Sequence, residues 1–120
     1  VKKSKRLIVW NKYGHKCAYC GKYVAYKDFQ VDHYYPKRNP SIARKRLGCH
    51  VDDMRNLMPS CRRCNLYKRA YQPRRFKQLM RTLHNRIASI YIVKVAIDYG
   101  MIKIKSFDGK FYFEKYKENK

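Results

Sequence analysis

The sequence predicts an α+β chain assembled around a metal-binding knuckle, on three observations. Two Cys-x-x-Cys pairs, Cys17/Cys20 and Cys61/Cys64, stand about 40 residues apart; apolar residues recur at helical spacing after Pro73; and stretches rich in Ile, Val and Tyr alternate with period two. A length of 120 residues suits one compact domain, so a single domain over 1–120 is expected. A hydrophobic fraction of 45% that includes 12 Tyr and 5 Phe supplies the core material a disordered basic tail lacks.

Taken in order, Lys2 to Lys16 reads as a short helix or arm, with Gly14 allowing the turn that delivers Cys17. Cys17-Ala18-Tyr19-Cys20-Gly21 fits a tight loop bent around two sulfurs, because its small residue and terminal Gly let the backbone turn. Tyr23 to Tyr35 reads as extended chain carrying Asp32 and His33 near its end, with Pro36 as the stop. Residues 37–53 show turn signals and little periodicity, which predicts a basic loop. Asn56-Leu57-Met58-Pro59 is a second extended piece, and the second Cys pair that follows opens a helix. After Pro73, residues Phe76, Leu79, Met80, Leu83 and Ile87 form one helical stripe, with Arg74, Lys77 and Arg81 off it. Val93 to Asp98 and Ile102 to Lys105 alternate, and Asp108-Gly109 precedes Lys110 to Glu114, which together predict a small antiparallel β meander; over 87–97, where the apolar run is short, helix is the alternative.

Lys and Arg number 30 against 8 Asp and Glu, a formal charge of +22 that repels itself unless a polyanion is near, which points to nucleic acid. Between Met54 and Ile97 there is no acidic residue, while 11 cations occupy the same stretch, among them Arg74, Arg75, Lys77 and Arg81, as a surface tracking phosphates would require. No apolar run approaches the ~20 residues needed to span a bilayer, so membrane and secretory readings drop out. Of the five Cys, four fall in the two pairs, a pattern that suits metal thiolates in a reducing, cytoplasmic setting better than a disulfide framework. Two such pairs present four thiolates at ~2.3 Å to one tetrahedral zinc, and a closed shell of this kind pins distant segments together without reacting. Cys49 reads as a packed thiol or, with His50, as a substitute ligand.

The order Cys-x-x-Cys, Asp32-His33-Tyr34-Tyr35-Pro36, Arg55-Asn56-Leu57, then Cys61-x-x-Cys64-Asn65-x-x-Lys68 resembles the HNH endonuclease family in its zinc-knuckle form, over about Tyr13 to Lys68. The resemblance implies a ββα-metal (His-Me finger) core at 13–70; residues 71–120 lie outside it and read, on their periodicity, as a C-terminal basic helix and β extension. It also implies a metal-dependent DNA endonuclease that hydrolyses phosphodiester bonds with structural zinc and catalytic magnesium or manganese. Such hydrolysis needs a base to deprotonate water and a Lewis acid to neutralise charge on the phosphate. His33 matches the general base and Asp32 a carboxylate ligand of the catalytic ion. Asn65 matches its second protein ligand, an amide oxygen suited to a hard cation. Asn56 matches the family's middle Asn, whose amide bridges backbone across the hairpin loop. Lys68 lies one helical turn after Asn65 and is expected at a phosphate.

Each assignment has a plainer counterpart: Asn56 as a turn residue, Asn65 as a helix cap, Lys68 as a solvated charge. The loop from Pro36 to Asn56 departs from the family pattern, which often carries Gly-Gly near its start; here the loop is long and basic and contains Pro40 and Cys49. The alternative function is a non-catalytic zinc-containing nucleic-acid-binding module, which shares the charge and the zinc but has no need of a carboxylate facing phosphates.

Overall fold

The computed structural model describes residues 2–117. Among these, six α-helices and a two-stranded antiparallel sheet give an α+β architecture. The chain divides into two compact units, Val1–Pro73 with Phe111–Lys120, and Arg74–Lys110.

In the first unit, helix α1 (Lys3–Asn11) packs on strand β2 (Leu57–Ser60), which pairs antiparallel with β1 (Gln30–His33), and helix α3 (Arg62–Lys68) follows β2 and lies on β1. The sheet register sets Asp32 opposite Met58 and His33 opposite Leu57, so the strand that carries the Asp-His pair ends at the hairpin connection. All four residues of β2 are buried, as expected for a strand covered on both faces. The extended reading of 23–35 contracts to four residues: Tyr23 makes only an isolated bridge to Lys16, and Gln30 is the first ladder residue.

Several cations of α1 act as structural donors. Arg6 donates from Nη2 to the carbonyls of Phe29 (2.7 Å) and Tyr26 (3.1 Å) with its guanidinium 4.0 Å above the Phe29 ring centroid. Lys12, just past the helix end, donates from Nζ to the Met54 and Leu57 carbonyls, both at 2.7 Å, and burial holds its pKa below the usual lysine range. Part of the chain's positive charge therefore fastens α1 to the hairpin loop.

The expected loop over 37–53 contains a helix, α2 (Pro40–Leu47). Pro40 sits at the start of the first turn, where a missing N–H costs nothing, and Gly48 closes the last turn at φ +68°, a left-handed position that favours glycine. A short 3₁₀ turn, Met54–Asn56, then leads into β2.

The second unit holds the helix expected after Pro73, α4 (Pro73–Ala88), and α5 (Tyr91–Asp98). On α4, Phe76 is buried and Leu79, Met80 and Leu83 are half-buried, whereas Arg74, Arg75 and Arg81 are exposed. The expected meander does not form. Residues 91–98 are helical, with Val93 and Ala96 half-buried and the others exposed, and residues 102–111 contain no strand. The Asp108-Gly109 turn leads instead to extended Phe111 and a four-residue helix, α6 (Tyr112–Lys115), in the first unit. There Tyr112 and Phe113 donate their backbone N–H groups to the carbonyls of Tyr19 (3.0 Å) and Ala18 (2.8 Å), closing this segment over the first Cys pair.

Candidate active site

The two Cys pairs meet. The Sγ atoms of Cys17, Cys20, Cys61 and Cys64 all lie within 4.8 Å of one another, and Cys20 and Cys61 are 3.9 Å apart. Tetrahedral ligation at ~2.3 Å places sulfurs about 3.8 Å apart, so the cluster has the dimensions of a zinc centre. Its walls are built locally. The loop Cys17–Gly21 closes through Gly21 N–H to the Cys17 carbonyl (3.0 Å), with Gly21 at φ +80°, and Ala18 N–H to the Pro59 carbonyl (2.8 Å) ties it to β2. Cys61 caps α3, its sulfur accepting from the Cys64 N–H at 3.3 Å. Without a cation the thiols cannot all ionise. Hydrogen bonds from Cys20 and Cys64 push the Cys17 thiol down, while its proximity pushes Cys20 up to about 11 and Cys64 higher still. A divalent ion resolves that conflict. Cys49 is buried and lies outside the cluster.

Asp32 and His33 diverge from adjacent positions on β1, as side chains on a strand do. Asp32 is buried beneath α3, where its Oδ2 accepts a short hydrogen bond from the Tyr19 hydroxyl and pairs with Lys68 Nζ at 3.1 Å. Oδ1 takes part in neither contact. Burial pushes the Asp32 carboxyl above the usual carboxylate range, against the pull of Lys68 and Tyr19, and pushes the Tyr19 hydroxyl well up also.

Lys68, expected at a phosphate, is instead 0% exposed, and its ammonium also donates to the His33 carbonyl at 3.0 Å. Helical spacing relates Lys68 correctly to Asn65, but that position on α3 turns inward over β1, so the charge serves Asp32 and not a substrate.

His33 is 21% exposed and opens into a cleft of about 480 Å³ lined by Lys2, Lys5, His33, Lys37, Asp52 and Leu57. Its Nε2 lies 2.8 Å from Asp52 Oδ1. Asn56 is fully buried beneath the connection: its Oδ1 accepts from the Tyr35 N–H at 2.8 Å, and its Nδ2 donates to the carbonyls of Tyr35 (3.0 Å) and Val51 (2.8 Å). With the Tyr34 N–H on the Asn56 carbonyl at 2.8 Å, this locks the backbone immediately after His33. Asn65 donates from Nδ2 to Gln30 Oε1 at 2.5 Å, two residues before Asp32 on the same face of β1.

A catalytic cation held by Asp32 and Asn65 would meet one carboxylate and one amide oxygen, hard ligands of the kind magnesium and manganese take together with waters and substrate phosphates. Among the described residues Asp32 and Asn65 make no direct hydrogen bond. A cation on Asp32 shares that carboxylate with Lys68.

Arg74, Arg75, Lys77 and Arg81 lie on α4 in the second unit, where Arg75 and Arg81 line an open pocket of about 520 Å³ with Gln78, Leu79, Thr82 and Arg86. Sequence reasoning misses Asp52, Tyr19 and Lys5 as site residues. Lys37 alone carries a signal there, as part of the basic loop.

A family model described as HNH endonuclease matches residues 17–70, which contain both Cys pairs, both strands and α3. No curated protein and no solved structure matches the chain. Among the described residues no helix is long and apolar enough to cross a membrane.

Proposed function

With residues 17–70 matched to the HNH endonuclease family, we propose that this chain is a metal-dependent DNA endonuclease in which His33 takes the proton from the attacking water. The observation that carries the reading is the placement of His33. Its ring opens into a cleft whose walls include Lys2, Lys5 and Lys37, so the base that would act on water lies where a phosphate would be drawn. Asn56 fixes the backbone on which that ring stands. Asp32 and Asn65 would hold the divalent ion, which supplies charge neutralisation at the phosphate and leaving oxygen when bound. Zinc on the four cysteines would join the Cys17 loop to the start of α3 and so hold β1, β2 and α3 together. Arg74, Arg75, Lys77 and Arg81 would add backbone contacts with no base code.

The second reading, a non-catalytic zinc-containing nucleic-acid-binding module, is favoured by the Asp32–Lys68 pair, since a buried, neutralised carboxylate can be a purely structural element. Incubation of supercoiled plasmid with the protein and magnesium or manganese separates the two. Nicked or linear product supports the nuclease; bound but uncut plasmid with both metals supports the binding module.

A further inference from the structure

We propose that Asp52 is a positioning residue for His33: it accepts a hydrogen bond from the ring's Nε2–H and thereby turns Nδ1, with its lone pair, toward the water. This rests on the reading of His33 as the base.

The contact is 2.8 Å, and an ionised carboxylate can only accept, so the ring nitrogen facing it must be the one that carries the proton. Neutral imidazole has one donor and one acceptor nitrogen, and committing Nε2–H to Asp52 leaves Nδ1 as the acceptor. The carboxylate is delivered by a fixed backbone. The Asp52 N–H donates to His50 Nδ1 at 3.1 Å, the Asp52 carbonyl accepts from Lys5 Nζ at 3.2 Å, and the Asp53 N–H closes the turn on the His50 carbonyl at 2.9 Å.

The other charged groups facing this pair are Lys2, Lys5 and Lys37 on the cleft wall and His50 beside Asp52, with Lys68 under the His33 carbonyl. Asp32 is engaged by Tyr19 and Lys68. Among the described residues Asp52 is therefore the carboxylate that meets the His33 ring. Lys5 gives α1, which precedes the matched segment, a part in the site: it anchors the residue that orients the ring.

The test uses the 120-residue chain loaded with zinc. In wild type, nitrogen-15 spectra of the neutral His33 ring, assigned with a His33→Gln control, should show Nε2 protonated and Nδ1 unprotonated, together with a low-field Nε2–H proton that Asp52→Ala abolishes. Asp52→Ala should lower kcat by about tenfold to a hundredfold, as removal of an orienting partner does, while KM stays within about twofold. Asp52→Glu should recover part of that loss, and zinc content should be unchanged. A wild type that cuts with Nδ1 carrying the proton, or an Asp52→Ala variant with undiminished kcat, overturns the role of Asp52 and leaves the nuclease reading standing. A wild type that does not cut, with the ring in the Nε2–H form and the low-field proton absent in Asp52→Ala, overturns the nuclease reading and keeps the orientation.

Discussion

Lys68 has no exposed surface, and a lysine in that state survives only with its charge answered. The answer is Asp32 at 3.1 Å and the His33 carbonyl at 3.0 Å. Removing one member of such a pair leaves a buried charge uncompensated, whereas replacing both with apolar groups need not. Asp32→Ala should therefore cost about 3–5 kcal/mol of stability in addition to any loss of activity. Lys68→Met in the Asp32→Ala background should recover most of it, which urea unfolding of the single and double variants measures. Additive losses would mean that the two side chains are not coupled.

Asp52 behaves differently because its side chain keeps 44% of its surface exposed. Its hydrogen bond with His33 holds its carboxyl below the usual range. A carboxyl depressed in the fold contributes stability that is complete above the ordinary Asp value of ~3.9 and is lost as pH falls through the lower folded value. Asp52→Asn should flatten the acid limb of a Tm-against-pH profile below the ordinary Asp range. An acid limb identical to wild type would show that the Asp52 carboxyl is no more acidic in the fold than in the unfolded chain.

Among the elements, the Cys17–Gly21 loop is the most constrained. Gly21 has φ +80°, and a Cβ added there would stand 2.7 Å from the Tyr112 ring, which is seated on the loop by the backbone bonds of Tyr112 and Phe113. Gly21→Ala should destabilise by roughly 1–3 kcal/mol through strain and overpacking, read as a lower Tm with zinc still bound. An unchanged Tm would show that the returning C-terminal segment does not press on the knuckle.

That return is not legible from sequence. Asp108-Gly109 reads as a hairpin because its residue types suit a tight turn, but a hairpin also needs two strands with partners, and residues 102–105 have none. The alternating run at 93–98 equally carries a helical stripe, and without a neighbouring strand the local i→i+4 bonds prevail. The Cys pairs and α4 are legible because ligand spacing and a long 3.6-residue period are local signals. Lys68 misleads, since spacing on α3 gives its face relative to Asn65 but not which face meets β1. Asp52 is invisible for a related reason: it is 19 residues from His33, and only the register that sets His33 opposite Leu57, with the turn before it, brings the two together.

At the scale of the whole molecule, +22 on 120 residues would make the proposed DNA binding steeply dependent on salt. If about six cations neutralise phosphates, affinity should fall by ~10³ or more between 50 and 200 mM salt. Neutralising Arg74, Arg75, Lys77 and Arg81 together should lower affinity and flatten the slope of log K against log salt by up to about 3.6, ~0.9 for each phosphate left without its cation. Fluorescence anisotropy over a salt series measures both, and an unchanged slope would take these four cations out of the DNA contact. Zinc acts on the same scale. A zinc on the four cysteines would contribute folding energy on the order of 10 kcal/mol, so chelation should abolish the cooperative unfolding transition, and elemental analysis should find one zinc per chain.

That His33 acts on the attacking water is tested most directly by cutting at matched DNA occupancy. Wild type and His33→Ala, both zinc-loaded, are brought to saturation on one plasmid with magnesium, and the single-turnover rate is measured alongside Kd. The account predicts a Kd within about twofold and a rate lower by ~10²-fold or more, the contribution of a general base. A His33→Ala variant that cuts as fast as wild type would contradict it.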